Sequence, residues 1–345
     1  MTRLSKKDAL AKFLNRCGGF ALQRKLGLVR SNEFVILTYH RIADLDPCTP
    51  YPFDEELISA SSREFDWQME FLSKKFRPQP LSTLLRMCKE SRTIPAGSVA
   101  VTFDDGFLDN YSVAYPILRK HKVPATFFVA TDFVEHNRPI WFEVVAYAFL
   151  NLPVNSIKHP LCESAAPSQA DRTVRLAELN RVMRKLKVAP DADRTAFVDY
   201  LNSLIDASAL QAAWTEFGGA MRWEHVAEVA RNNIEIGSHT VSHPILSKTD
   251  GQVMVNELAE SKRVLESKVG AMVELLAYPV GGRSHFSPDV IRVAKDVGYT
   301  HGISYIAGVN RPESLDPFCV FRHTVERYTT RERFEAQLCL PQVFT

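Results

Sequence analysis

The chain has 345 residues, of which 46% are hydrophobic and 24% charged, with a formal net charge of +2. Such a length and composition suit one large globular domain or two smaller ones with a sizeable core. They exclude a nucleic-acid binder that works through bulk positive charge. Six scattered cysteines form no CxxC pair, which excludes a zinc ribbon or a thioredoxin-like motif and reads as reduced thiols.

Residues 1–30 are basic. Leu4, Leu10, Phe13, Leu14 and Phe20 could line one face of a short amphipathic helix, with Lys6, Lys7, Lys12, Arg16, Arg24 and Lys25 supplying charge. The first reading is a helix docked on the domain; the alternative is a peripheral membrane-surface anchor. No unbroken apolar stretch marks a secretory signal or a membrane span. The expected location is therefore cytoplasmic, at most peripheral to the inner membrane.

Downstream, short apolar runs alternate with helical patterns. The strand candidates are Phe34–Tyr39, Ser98–Phe103, Ala125–Ala130, Ile234–Gly237, Glu274–Tyr278, His301–Tyr305 and Cys319–Arg322. Helical spacing recurs over Ser62–Lys75, Asn110–His121, Val253–Val269 and Pro288–Val297, the last with Gly298 just past its end. This alternation predicts an α/β fold with a mainly parallel sheet or barrel. Residues from about 136 to 221 break the rhythm with Pro153, Pro160 and Pro167 and two charged helical runs, and read as a helical insertion into a domain spanning 31–345.

Three patterns carry chemistry. The strand ending in Thr102-Phe-Asp-Asp-Gly106 delivers two adjacent carboxylates to a strand end, where parallel α/β folds place their sites. Alternation points Asp104 and Asp105 in opposite directions, so one can bind a metal while the other stays free as a base. A turn-forming helix cap is the plain alternative. After the strand at Ile234, His239 and His243 stand four apart, a spacing suited to a divalent metal. Two histidines and one carboxylate make a three-ligand site with room for water. Tyr39-His40 closes the first strand, so His40 would share the same rim. Beyond these, the loop at Tyr278, Pro279 and Gly281 can approach a substrate closely. Arg322 and His323 alternate on a late strand, so only one faces the site.

Together these motifs resemble the polysaccharide deacetylase (NodB-homology) family, carbohydrate esterase family 4. Thr102–Gly106 is similar to its first motif, Ser238–His243 with Pro244 to its second, and Ala277–Gly281 to its third. The resemblance covers roughly 31–135 and 221–327, and the early Tyr-His pair is similar to the poly-N-acetylglucosamine deacetylase branch. It implies a distorted (β/α) barrel of about seven parallel strands around one divalent ion, with zinc expected. Asp105, His239 and His243 would bind that ion, Asp104 would be the catalytic base and His40 the acid. Many members carry Arg where this chain has Ala277; Arg322 would then supply the charge beside Asp104, with His323 the rival acid.

The implied activity is hydrolysis of linear amide C–N bonds, removing N-acetyl groups from an N-acetylated glycan in cell-surface or extracellular polysaccharide metabolism. A catalytically silent glycan-binding protein of the same fold is the first alternative. A phosphoryl-transfer enzyme using the Asp pair on magnesium is the second, and it is disfavoured because paired histidines suit zinc-like ions.

Overall fold

The computed structural model describes residues 6–20, 22, 31–153, 155–162 and 171–344. The strands are β1 (Phe34–Tyr39), β2 (Arg41–Ile42), β3 (Ile58–Ala60), β4 (Arg77–Pro78), β5 (Ser98–Phe103), β6 (Ala125–Val129), β7 (Ile234–Ser238), β8 (Leu275–Ala277), β9 (His301–Ile303) and β10 (His323–Thr324). Seven run in the order β10-β1-β5-β6-β7-β8-β9, with every pair parallel. Short β4 pairs with the start of β5, and β2 with β3 forms a separate ribbon. A parallel bridge from Ile303 to Val320 joins the segment leading into β10 to β9, so the two ends of the sheet meet. The result is a distorted (β/α) barrel. One side is tightly laced, with six registered pairs between β1 and β5. The other is loose, with a single registered pair, Ser238 with Leu276, between β7 and β8.

Period-two alternation sorts the strand residues. Phe34, Ile36, Ala100, Phe128, Leu275, Ala277, Ile303 and Val320 fill the barrel interior, closed off by Leu81, Leu84 and Leu85 of the helix Leu81–Lys89. Their neighbours Val35, Leu37, Val99, Val101, Phe103, Phe127 and Leu276 face outward under the helices Ser62–Lys75, Trp223–Arg231, Gly251–Val269 and Pro288–Val297. Among the described residues the insertion carries the helices Trp141–Asn151, Arg172–Leu186, Asp191–Leu204 and Ala207–Glu216. They build a second core around Phe53, Phe107, Phe133, Tyr147, Phe197 and the fully buried Trp214.

Several expectations shift. The last strand falls at His323–Thr324 rather than Cys319–Arg322, because Val320 makes only an isolated bridge before the chain reaches β1. The helix expected at Asn110 opens with a π-turn over Asn110–Ala114 before regular helix from Tyr115 to His121. The N-terminal helix Lys6–Arg16 packs on the helix Arg331–Cys339, but not through all of its apolar residues. Ala11 and Phe20 are buried, while Leu10 and Phe13 are exposed. Leu4, Arg24 and Lys25 lie outside the described residues. All six cysteines are free thiols. Among the described residues no helix is long and apolar enough to cross a membrane.

Candidate active site

A cleft of about 320 Å3 opens at the C-terminal rim of the barrel, lined by His40, Asp104, Asp105, His239, His243, Tyr278, Val280 and Tyr305 among others. Asp104 continues the inward series of β5 after Ala100 and Thr102. Asp105 leaves the strand in the left-handed region, at φ 74°. The turn swings its carboxylate over the rim, so two adjacent aspartates reach one cleft despite strand alternation. His243, Thr240 and Val280 are also left-handed, at φ 59°, 68° and 61°. Each such residue costs about 1–3 kcal/mol, and such strain clusters where the surroundings hold a functional loop in place. Here Glu257 holds one loop, accepting from the backbone of Val241 and Ser242 and from the Ser242 hydroxyl.

Asp105, His239 and His243 offer ligand atoms that all lie within 4.8 Å of one another. Each Nε2 stands 3.4 Å from Asp105 Oδ1. That matches the edge of a tetrahedron with bonds of about 2.1 Å, the zinc–nitrogen and zinc–oxygen range. Burial, then His239, holds His243 well below its ordinary value, and burial lowers His239. Both imidazoles are therefore neutral and make no ion pair with Asp105. His239 Nδ1 donates to the carbonyl of Ala277 at 2.8 Å, which leaves Nε2 bare for a ligand. Neither oxygen of Asp105 has a hydrogen-bond partner among the described residues. Burial, then Asp104 and Glu143, pushes its carboxyl well up. A buried, unpartnered carboxylate facing two neutral imidazoles fits a divalent cation and little else.

Asp104 is held differently. Arg322 grips both its oxygens, Nη1 to Oδ1 at 2.7 Å and Nη2 to Oδ2 at 2.8 Å, while Arg322 Nε donates to the Ser304 carbonyl. Burial alone would raise this carboxyl; the guanidinium, then His239, outweighs it and holds Asp104 at about 2. The carboxylate is thus ionised and fixed in direction. Val320 faces the interior, so alternation turns Arg322 inward and His323 outward. His323 does not line the cleft; it is buried behind the strand, its Nε2 without a hydrogen-bond partner among the described residues. As the rival acid it is therefore displaced.

His40 lies one step beyond the registered pair Tyr39–Phe103, beside Asp104. Its backbone is tied at both ends, N–H to the Ser59 hydroxyl at 3.0 Å and carbonyl to Asn110 Nδ2 at 2.6 Å. Burial lowers its imidazole to about 4, against the pull of Asp104. The third-motif loop needs correction. Tyr278 lines the cleft but spends its hydroxyl on the Phe318 carbonyl at 3.1 Å. Pro279 and Gly281 do not line it. Gly281, at φ 58°, instead seats Tyr305: a Cβ there would stand 2.7 Å from the Tyr305 nitrogen.

The opposite wall escaped sequence reading. Trp141, Phe142, Met183 and Lys187 all come from the insertion, while Asp54, Glu56 and Glu326 form another lip. Phe142 packs edge-on against His243, and Trp141 Nε1 donates to the His243 carbonyl at 3.1 Å. Beneath them, fully buried Arg41 pairs with Asp109 at 2.8 Å and contacts the Tyr51 hydroxyl. The start of Trp-Phe-Glu after Pro139 was the available signal, but nothing local ties it to the histidines.

The comparisons with known proteins agree with this fold. The polysaccharide deacetylase family profile matches residues 91–302, more than half of the chain, and the chain belongs to that family. A protein of Bacillus subtilis named as a polysaccharide deacetylase, YxkH, is 21% identical over 273 residues, 78% of this chain and 63% of that protein. The poly-beta-1,6-N-acetyl-D-glucosamine N-deacetylase of Staphylococcus epidermidis is 31% identical over 111 residues, 30% of this chain and 38% of that protein. The aligned part thus spans less than two thirds of either relative. Among solved structures, the Streptococcus pyogenes deacetylase PplD superposes with a TM-score of 0.59 at 18% identity, covering 90% of this chain and 99% of that one. IcaB from Ammonifex degensii superposes with a TM-score of 0.53 at 20% identity, covering 91% and 96%. At these identities the two structures bear on the fold alone.

Proposed function

We propose that this chain is a hydrolase that removes N-acetyl groups from a glucosamine-type polysaccharide, in cell-surface or extracellular polymer metabolism. The observation that carries the reading is the pairing of two unlike carboxylates on one rim: Asp105 unpartnered against two neutral imidazoles, Asp104 ionised in the grip of Arg322. The substrate class follows the Staphylococcus relative named for poly-N-acetylglucosamine.

A divalent ion held by Asp105, His239 and His243, zinc by the donor set, would acidify a water and polarise the acetyl carbonyl. Asp104 accepts the proton of the attacking water. Arg322 keeps that carboxylate ionised and aimed, at some expense of its basicity. The C–N bond then breaks and the amine nitrogen needs a proton. His40 delivers it by relaying the proton that Asp104 took from the water, because burial keeps its imidazole neutral between turnovers, and Asp104 returns to the carboxylate. Acetate and a free amino sugar leave the cleft.

Acetate release across a panel of N-acetylated glycans tests the proposal, with zinc-loaded protein and Asp104→Asn alongside. Release from poly-N-acetylglucosamine, reduced about 10²–10⁴-fold in the variant, is expected. No release from any N-acetylated glycan, or equal release by both proteins, contradicts it.

A further inference from the structure

We infer that the N-terminal helix docks the protein onto an anionic bilayer surface, a role independent of the chemistry in the cleft. A helix that only packs on its own domain needs one apolar face. Lys6–Arg16 has a packed face, with Ala11 buried and Leu14 half-buried against the core, and a second face that stays exposed among the described residues. Positions 6, 9, 10, 13, 16 and 17, which share a stripe at helical spacing, are all exposed. That stripe carries Leu10 and Phe13, exposed by 40% and 65%, and Leu22 follows at 56%. Three of the nine large apolar side chains exposed among the described residues therefore fall within thirteen positions.

Charge decides the occupant. Residues 1–30 hold eight of the 42 Lys and Arg but only one of the 40 Asp and Glu, so the remainder of the chain is net acidic. Lys6 and Arg16 bracket the exposed Leu10 and Phe13 on the stripe itself. Apolar side chains ringed by basic ones match the boundary between acyl chains and acidic headgroups. A second copy of this chain would bring like charge against like charge.

The test is cosedimentation of the 345-residue chain with phosphatidylcholine vesicles, with and without phosphatidylglycerol. Binding that requires phosphatidylglycerol and weakens with salt is expected. Leu10→Glu with Phe13→Glu should reduce it at least about tenfold. Lys6→Glu with Arg16→Glu should also reduce it, with the melting temperature of each variant showing that it is folded. No binding by the parent chain, or equal binding by the folded Leu10/Phe13 variant, overturns the inference. So does a concentration-dependent dimer that the same variant dissociates while vesicle binding is unchanged.

Discussion

The two walls of the cleft are built on different terms. The barrel rim supplies Asp104, Asp105, His239, His243 and Arg322 from strand ends, each with its direction set by alternation, a left-handed turn or a two-toothed ion pair. The insertion supplies Trp141, Phe142, Met183 and Lys187 from helices with their own core. On the proposed reading, the rim decides which bond can break, because its groups would hold charge where a carbonyl is attacked, and the insertion decides what can lie beside that bond. Arg41 joins them: it opens β2 next to His40, pairs with Asp109 behind β5, and reaches the Phe217 carbonyl at the end of the insertion. Changes on the rim should therefore alter rate, and changes on the insertion wall should alter choice of substrate.

The largest effects belong to the rim. His40→Ala should slow acetamide hydrolysis about 10²–10⁴-fold yet spare an activated ester whose leaving group needs no proton. Equal losses on both substrates would take His40 out of the acid role. Arg322→Ala leaves Asp104 as a buried carboxylate without its partner, so the protein should lose about 3–5 kcal/mol of stability, read by urea unfolding, together with most of its activity. A variant as stable as the parent would mean that the pair does not organise the barrel interior.

The insertion wall should respond differently. Trp141→Ala should raise KM for a polymeric glycan by about tenfold while a small N-acetylated sugar is turned over at nearly the parental kcat. Equal losses on both would merge the wall with the rim. The smallest effect concerns Glu143, fully buried on the same helix, with one carboxyl oxygen lacking a hydrogen-bond partner among the described residues. Burial pushes its carboxyl to about 8, although Arg41 stands 4.0 Å away and draws it back. Folded Glu143 therefore keeps its proton up to about pH 8 while the unfolded side chain releases it in the ordinary carboxylate range. The sign follows: this group costs nothing at low pH, and it destabilises progressively as pH rises from about 4.5 to 8. With chelator present, Glu143→Gln should melt together with the parent near the lower limit and above it near the upper one. A constant offset across the range would contradict the assignment.

What the chain revealed before its fold was known follows the same division. Strands running into Asp-Asp-Gly and into His-x-x-x-His are local patterns, so β5 and β7 fall on the apolar runs that precede them, and three metal-ligand candidates meet. Alternation on the late strand foretold that Arg322 and His323 could not both face inward. It could not tell which, because that depends on Val320 closing the sheet against Ile303. Nor could it show that Asp105 turns left-handed and joins Asp104 in one cleft. Pro279 and Gly281 looked like ligand-approaching residues, since a tight loop beneath Tyr305 and one against a substrate use the same residue types. Trp141 and Lys187 were illegible, for their place depends on long-range packing between an insertion and a rim distant in sequence.

The division of labour between the adjacent aspartates is the core of the account. Its most direct test is to measure metal content and acetate release side by side in Asp104→Asn and Asp105→Asn. Asp105→Asn should lose both the divalent ion and the activity; Asp104→Asn should keep the ion at full occupancy and lose the activity alone. Full metal occupancy in Asp105→Asn, or parental acetate release in Asp104→Asn, would contradict it.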